Sequence, residues 1–336
     1  MSVYIIAQTN SFRYNKLNYY KYNNNYERKK YTGLSRERAV RSYRVCSVKI
    51  GCGTVLFRKF GLEESLAAIR SIGFEYFETQ AVGPWCPHVN VEKDDPEGLV
   101  RLKERYGFKG ITGLWSLNGN IIPNPDAVRS GILSIEWAAA AGIPVLHTGD
   151  GNKPAGMSDE EAFDVLEEKL GRILEAAKKN GVTVAIEPHG TFSLTKTGLA
   201  RILSLGSPEV LGINYDGCNI FRSSYVESGN GVSGWKSADG NEDELDVLKA
   251  VADRIVHCHI KDINKEKKCV AAGDGLVNVG GIIRYLGSKG YSGAVSLETE
   301  GGNDFSSIVE LAKKSFDYLK ATVSKAESDC RSNETL

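Results

Sequence analysis

The sequence predicts an α/β chain that closes into a single (β/α)8 barrel, preceded by an irregular N-terminal extension. Three observations predict it. From Val48 onward, short runs of Val, Ile, Leu and Ala alternate with longer amphipathic segments, eight times over some 275 residues, close to the roughly 250 residues typical of such barrels. Glycine-bearing stops recur where a helix hands over to a strand, in IGF at 72–74, AGIP at 141–144, NGV at 180–182 and KGY at 289–291. Acidic or imidazole side chains fall at the ends of four successive strands, which is where a barrel of this kind gathers its reactive groups.

Taken in order, strands are expected over about 48–55, 75–80, 109–115, 144–149, 183–189, 211–216, 255–261 and 293–299. Each is apolar nearly throughout, as a strand covered on both faces must be. Helices are expected over about 62–72, 96–105, 125–141, 158–180, 197–205, 243–253, 279–288 and 304–321. The fourth is the clearest. Ser158 and Glu161 form a capping box, and Phe163, Leu166, Leu170, Ile173, Leu174 and Ala177 make one stripe. A doubly wound sheet could use the same alternation, but it would carry a glycine-rich phosphate turn after its first strand. IGCGTVLF opens no helix directly at its glycines.

Residues 1–47 stand apart. They hold eight of the fifteen Tyr, an Asn run at Asn23–Asn25, and no apolar period, so they read as a flexible basic extension. The barrel is expected over 48–322 and a C-terminal tail over 323–336. The extension carries ten Lys and Arg against Glu27 and Glu37; because the whole chain balances at 42 of each sign, the remainder is net acidic by eight. An acidic body argues against nucleic acid as a partner. Seven scattered Cys with no CxxC pair point to a reducing compartment and away from a zinc ribbon. No apolar run reaches about 18 residues, so no membrane span is expected, and MSVYII lacks the basic start of a secretory signal. Together these predict a cytoplasmic protein. One connection, residues 217–242, is long and polar enough to cover a site, with Arg222, Tyr225 and Trp235 as its substrate-facing members.

The four strand ends are Glu187 in VAIEPH, Asp216 in GINYDG, His259 in VHCHIKD and Glu298 in AVSLETE. If the strands close into a barrel, these four converge, and three carboxylates in one place need a cation. One nitrogen and several carboxylate oxygens suit Mn²⁺ best, with Mg²⁺, Co²⁺ or Zn²⁺ as alternatives. Such an ion polarises a carbonyl or stabilises an enediolate, and a carboxylate beside it can remove the proton next to that carbonyl. Glu187 and Glu298 are the acid–base pair on this reading.

The runs IEPH, NYD, VHCHIKD and AGDGLVNVGGIIRYLGSKGYSGAVSLETE resemble the xylose-isomerase-like TIM-barrel superfamily, and within it the sugar phosphate isomerase/epimerase group. That group includes ketose 3-epimerases, hydroxypyruvate isomerases and inosose dehydratases. The resemblance covers about residues 48–322. It implies that Glu187, Asp216, His259 and Glu298 ligate the metal, that Glu187 and Glu298 shuttle protons, and that the chain forms a homodimer or homotetramer. Two positions depart from the ketose 3-epimerase pattern. Asn219 stands where those enzymes have His, and Lys261 and Asp262 follow His259 where they have Arg. The HIKD ending is more similar to the inosose dehydratases.

The expectation is therefore a metal-dependent isomerase or epimerase acting on a sugar, keto-sugar or keto-inositol. The alternative is a dehydratase or lyase that continues from the same proton abstraction to elimination, 3-keto-C-glycoside cleavage included. An apurinic endonuclease would need three metals and more imidazoles than the five His here, and a non-catalytic barrel would not keep all four ligand types. Further candidates surround the four. His147, read at the end of the fourth strand, is a candidate base. Gln80, Trp115, His189, Asn219, Arg222 and Lys261 are candidates for binding substrate. Glu78 either lines the pocket or belongs to a hydrogen-bonded layer inside the barrel. His257 reads as a core residue one layer deeper, and His88 as a loop residue that reaches the pocket or lies on the surface.

Overall fold

The computed structural model describes residues 47–117, 120–222, 242–302 and 304–333. The extension, apart from its last residue, lies outside the described residues, as do Tyr225 and Trp235 of the long connection. Eight parallel strands close on themselves: β1 (Lys49–Gly53), β2 (Tyr76–Gln80), β3 (Gly110–Trp115), β4 (Val145–Gly151), β5 (Thr183–Gly190), β6 (Leu211–Asp216), β7 (Ile255–Ile260) and β10 (Ala294–Leu297). Closure is seen in β1, which pairs with β2 on one side and with β10 on the other. A small antiparallel pair, β8 (Asp262–Ile263) with β9 (Cys269–Val270), follows β7 at the barrel's C-terminal end.

The helices lie between the strands, and several are started by a capping side chain. They are α1 (Leu62–Ile72), α2 (Pro96–Arg105), α3 (Ala127–Ala140), α4 (Asp159–Asn180), α5 (Lys196–Leu203), α6 (Gly217–Phe221), α7 (Glu244–Val251), α8 (Val279–Ser288) and α9 (Phe305–Asn333). Asp95 caps α2 ahead of Pro96, Thr195 caps α5, Asp243 caps α7 and Asn278 caps α8. The Ser158–Glu161 capping box forms as expected, and the α4 stripe from Phe163 to Ala177 is buried. Gly181 ends α4 in the left-handed conformation at φ 67°, which glycine adopts at no steric cost.

Four differences from expectation have local causes. The first strand stops at Gly53 and gives way to a tight turn of helix over Thr54–Phe57. β4 runs on to Gly151 because Gly149 and Gly151 let it pass close to the His189 backbone and Pro123. The connection expected over 217–242 opens with α6, started by the Asp216 side chain accepting from the Asn219 amide. The last helix does not stop near 321. It continues to Asn333 through the residues set apart as a tail, burying Leu319, Val323 and Ala326. Among the described residues, no helix is long and apolar enough to cross a membrane.

Candidate metal and acid–base site

Strand closure carries Glu187, Asp216, His259 and Glu298 to one spot, with a ligand atom from each within 4.8 Å of every other and all four buried. Glu187 projects from β5. Its Oε1 accepts from Asn219 Nδ2 at 2.8 Å and its Oε2 from Asn214 Nδ2 at 3.1 Å. Asp216 is the last residue of β6; its Oδ1 accepts from the Asn219 amide at 3.0 Å, and its buried Oδ2 accepts no hydrogen bond. His259, on β7, turns Nδ1 toward Glu187 Oε2 at 3.1 Å and Glu298 Oε2 at 3.3 Å, and Nε2 toward Glu78 Oε1 at 2.9 Å. Glu298 follows β10 directly. Gln80 Nε2 donates to its Oε1 at 3.3 Å, and Lys261 Nζ lies 2.8 Å from its Oε2.

The electrostatics follow from burial and from these partners. Burial pushes the Glu187 carboxyl up, but the His259 charge together with hydrogen bonds from His189 and His259 outweighs it and holds Glu187 down at about 2. Glu298 is likewise held well below the usual carboxylate range, against burial, by His259 and Lys261. Burial pulls His259 down, and the carboxylates of Glu298, Glu78 and Glu187 more than reverse it. Lys261 is kept charged by Glu298 and Asp216. At the mouth, the four carboxylates of Glu187, Asp216, Glu298 and Glu300 face the two permanent cations Lys261 and Arg222. With His259 counted neutral, as a metal-bound imidazole must be, the carboxylates exceed these cations by two, the charge that one divalent cation supplies. With three carboxylates, one imidazole and an unclaimed Asp216 oxygen, the residues present fit such an ion.

The other candidates divide into two groups. Gln80, Asn219 and Lys261 touch the cluster directly. Arg222 Nη2 donates to Asn219 Oδ1 at 2.7 Å, His189 Nδ1 lies 3.9 Å from Glu187 Oε1, and the Trp115 ring lies 5.3 Å from that of His189 and 6.4 Å from that of His259, centre to centre. His147 is elsewhere. β4 extends four residues past it, so it stands beside Ala185, two residues below the level of Glu187, and it is fully buried. His257 packs on it with ring centres 4.2 Å apart. His88 is neither pocket nor surface: its Nε2 pairs with the Phe60 carbonyl at 3.0 Å and its Nδ1 faces Cys86 Sγ.

Two residues matter more than the sequence suggested. Asn214, two positions before Asp216 and therefore on the same strand face, places its amide nitrogen against Glu187, His259 and His147. Asp262 turns away from the site. Its carboxylate accepts from the amides of Ile263, Gly273, Gly275 and Val277 at 2.9–3.0 Å, and so organises the loop before α8.

The buried imidazole below the site gives a pH prediction. Burial, then the His259 charge, pushes His147 down to about 3, below the ordinary value of about 6.5. Between those values the unfolded chain binds a proton that the folded chain refuses. Stability therefore rises with pH through this window, and falls on acidification by at most about 1.4 kcal/mol per unit. In cation-stripped protein, His147→Asn should flatten the change in urea midpoint between about pH 6.5 and 5. An unchanged slope in that variant would refute the account.

The fold and the site can be set beside known proteins. A model of the xylose isomerase-like TIM barrel family matches residues 66–322. An inosose dehydratase of Clostridium perfringens is 25% identical over 181 residues, covering 48% of this chain and 55% of the relative, so the chain spans about half the length of the curated relatives it matches in this way. Among solved structures, a D-tagatose 3-epimerase-like protein superposes with a TM-score of 0.66 at 20% identity, covering 84% of this chain and 99% of the other. A probable 3-DHS dehydratase of Bacillus anthracis superposes with a TM-score of 0.61 at 19% identity, covering 81% and 99%.

Proposed function

The chain belongs to the xylose isomerase-like TIM barrel family, and from that premise we propose that it is a divalent-metal-dependent enzyme that removes the proton beside a carbonyl of a sugar, keto-sugar or keto-inositol and returns it to give an isomer or epimer. The observation that carries this reading is the unlike surroundings of two converging carboxylates. Glu187 is gripped by the amides of Asn214 and Asn219, whereas Glu298 is held by Gln80 and by the charge of Lys261. Both are held ionised, so either can take a proton, and their different donors set each carboxylate toward its own side of the substrate.

A bound Mn²⁺, or Mg²⁺, Co²⁺ or Zn²⁺ in its place, supplies Lewis-acid polarisation of the carbonyl. The chain does the rest. Glu187, held ionised, takes the proton, and its two amide donors keep one oxygen aimed. Glu298, protonated in turn by solvent or a substrate hydroxyl, returns a proton from the other side. Lys261 and Arg222 offer their charge to substrate oxygens, Asn219 and His189 offer polar edges, and Trp115 offers a flat apolar face to the carbon side of a ring. Burial of this group, apart from the partly exposed His189, excludes water and strengthens each contact.

A second reading has a specific observation in its favour. Curated relatives are named inosose dehydratases, and this chain has Asn219 and Lys261 where an imidazole and a guanidinium would be expected of a ketose epimerase. In that reading the same abstraction by Glu187 is followed by loss of a β-hydroxyl, with Glu298 as the acid that protonates it. Turnover in D₂O, followed by NMR on a panel of ketoses and keto-inositols, separates the two. An isomer carrying solvent deuterium is expected from the first, and an unsaturated product from the second. If the cation-loaded protein exchanges no carbon-bound hydrogen in any of them, both readings fail.

A further inference from the structure

Below the site just described, the barrel interior holds a second group of buried ligating side chains. Barrel interiors are ordinarily filled by branched apolar residues. Here one layer contains Glu78 from β2, His147 from β4 and His257 from β7, with the inner edge of His259 above them, all essentially without solvent exposure. One ligand atom from each of these four lies within 4.8 Å of the others. Room for them is made by glycine. A Cβ on Gly113 would stand 2.1 Å from His147 Nε2, and one on Gly53 would stand 2.9 Å from Glu78 Oε1. Burying a carboxylate is costly unless something positive joins it, and the one charge beside Glu78 is that of His259, which Glu187 and Glu298 share.

The hydrogen-bond network shows what is missing. Asn214 gives its amide nitrogen to Glu187 Oε2, so its oxygen faces His257 Nδ1 at 2.9 Å. That assigns the proton of His257 to Nδ1 and leaves a lone pair on Nε2. His257 Nε2 faces Glu78 Oε2 at 3.3 Å. Thr112 Oγ1 is 3.2 Å from the same nitrogen, but its hydrogen also has the Phe77 carbonyl at 3.3 Å to satisfy. A lone pair and a carboxylate oxygen thus confront each other in a dry interior. Neither Glu78 oxygen accepts a well-formed hydrogen bond, and His147 Nδ1 lies 3.9 Å from the same Oε2. A cation between these groups, or a single proton shared by Glu78 and His257, relieves them.

We propose that Glu78, His147 and His257, with Nε2 of His259, form a second, deeper cation site. Three imidazoles and one carboxylate at these spacings suit a borderline ion that accepts four ligands, Zn²⁺ foremost and Co²⁺ as its probe. His259 presents one nitrogen to each site, Nδ1 outward and Nε2 inward; with both cations bound it is a bridging imidazolate that has released both ring protons, and so it links their occupancy. Of the four residues, His257 also borders a cavity outside the barrel interior. That cavity, of about 640 Å³ at the N-terminal end of the barrel, is lined by Thr112 as well. Lys49, Lys103 and Lys109 also line it, so any entry from that side is slow.

The test is metal content, which does not depend on the proposed reaction. Full-length protein is stripped, incubated at length with Zn²⁺, freed of excess and measured. Two equivalents per chain are expected, with an anomalous scattering peak between Glu78 and His257 in crystals of the same material. Glu78→Gln should lose the inner ion and keep the outer one, and Asp216→Asn should do the reverse. With Co²⁺, the inner ion should give the intense visible absorption of four-coordinate cobalt, lost in Glu78→Gln alone. Failure of the mouth assignment would show as a stoichiometry that Asp216→Asn leaves unchanged while Glu78→Gln still lowers it. A wild-type chain that saturates at one equivalent, with no density beside Glu78, overturns the inner site; a single proton shared by Glu78 and His257 would then be the answer. Because wild-type stoichiometry and density decide this, a variant that fails to fold does not rescue the proposal.

Discussion

Glu187→Gln is expected to lower turnover by about a thousandfold or more, some 4 kcal/mol of barrier, and to remove most of the cation bound at the mouth. The change is nearly isosteric, so the effect is chemical. The carboxylate has both oxygens engaged, one by Asn219 Nδ2 and the other by Asn214 Nδ2, with His259 Nδ1 at 3.1 Å from the latter. A glutamine offers one acceptor to these donors, and its own amide must then face another N–H. It also cannot take a proton at neutral pH, and it withdraws one of the negative charges that make the mouth attractive to a dication. Solvent deuterium exchange into substrate, together with metal content, is the measurement. Activity within tenfold of wild type, with the ion retained, would remove Glu187 from both roles.

Asp262→Ala should have the largest effect on stability, although Asp262 touches no substrate. Its two oxygens accept from four backbone amides, those of Ile263, Gly273, Gly275 and Val277. Removing them strands several buried donors, at a cost of about 3–5 kcal/mol and a fall in melting temperature on the order of 10 °C. The loop is packed tightly on this carboxylate, since a Cβ at Gly275 would stand 2.2 Å from Asp262 Oδ1. Lys261 is the neighbouring residue, so weaker cation binding at the mouth should accompany the loss. Asp262→Asn, which keeps acceptor capacity on one oxygen, should fall between the two. Calorimetry checks this directly; a variant melting within about 2 °C of wild type would show that the loop holds itself without the carboxylate.

Asp262 also shows where the sequence stops being informative. In HIKD, the Lys and the Asp look equivalent, two charged residues after a ligand. Along a strand they point to opposite faces, and the chain bends after Lys261. Lys261 enters the cluster, while Asp262 serves the loop. His147 is a similar case. Its strand was expected to end just after it, which would have lifted it to the mouth, but two glycines extend β4 and leave His147 inside. The helices were easier to place. Ser158, Asp95 and Asn278 act on amides two or three residues away, so capping is a local event and survives whatever the rest of the chain does.

What the sequence determined by itself is the alternation, the caps, and the four strand ends that bear Glu187, Asp216, His259 and Glu298, because each depends on residues a few positions apart. What only the tertiary structure decided is depth and facing across the barrel: that Glu78 lies under His259, that Asn214 bridges the upper and lower imidazoles, and that Gly53 and Gly113 clear space for Glu78 and His147. Those contacts join residues up to about two hundred positions apart in the chain, and they come into being only when β1 meets β10 and fixes which side chains share a level of the interior.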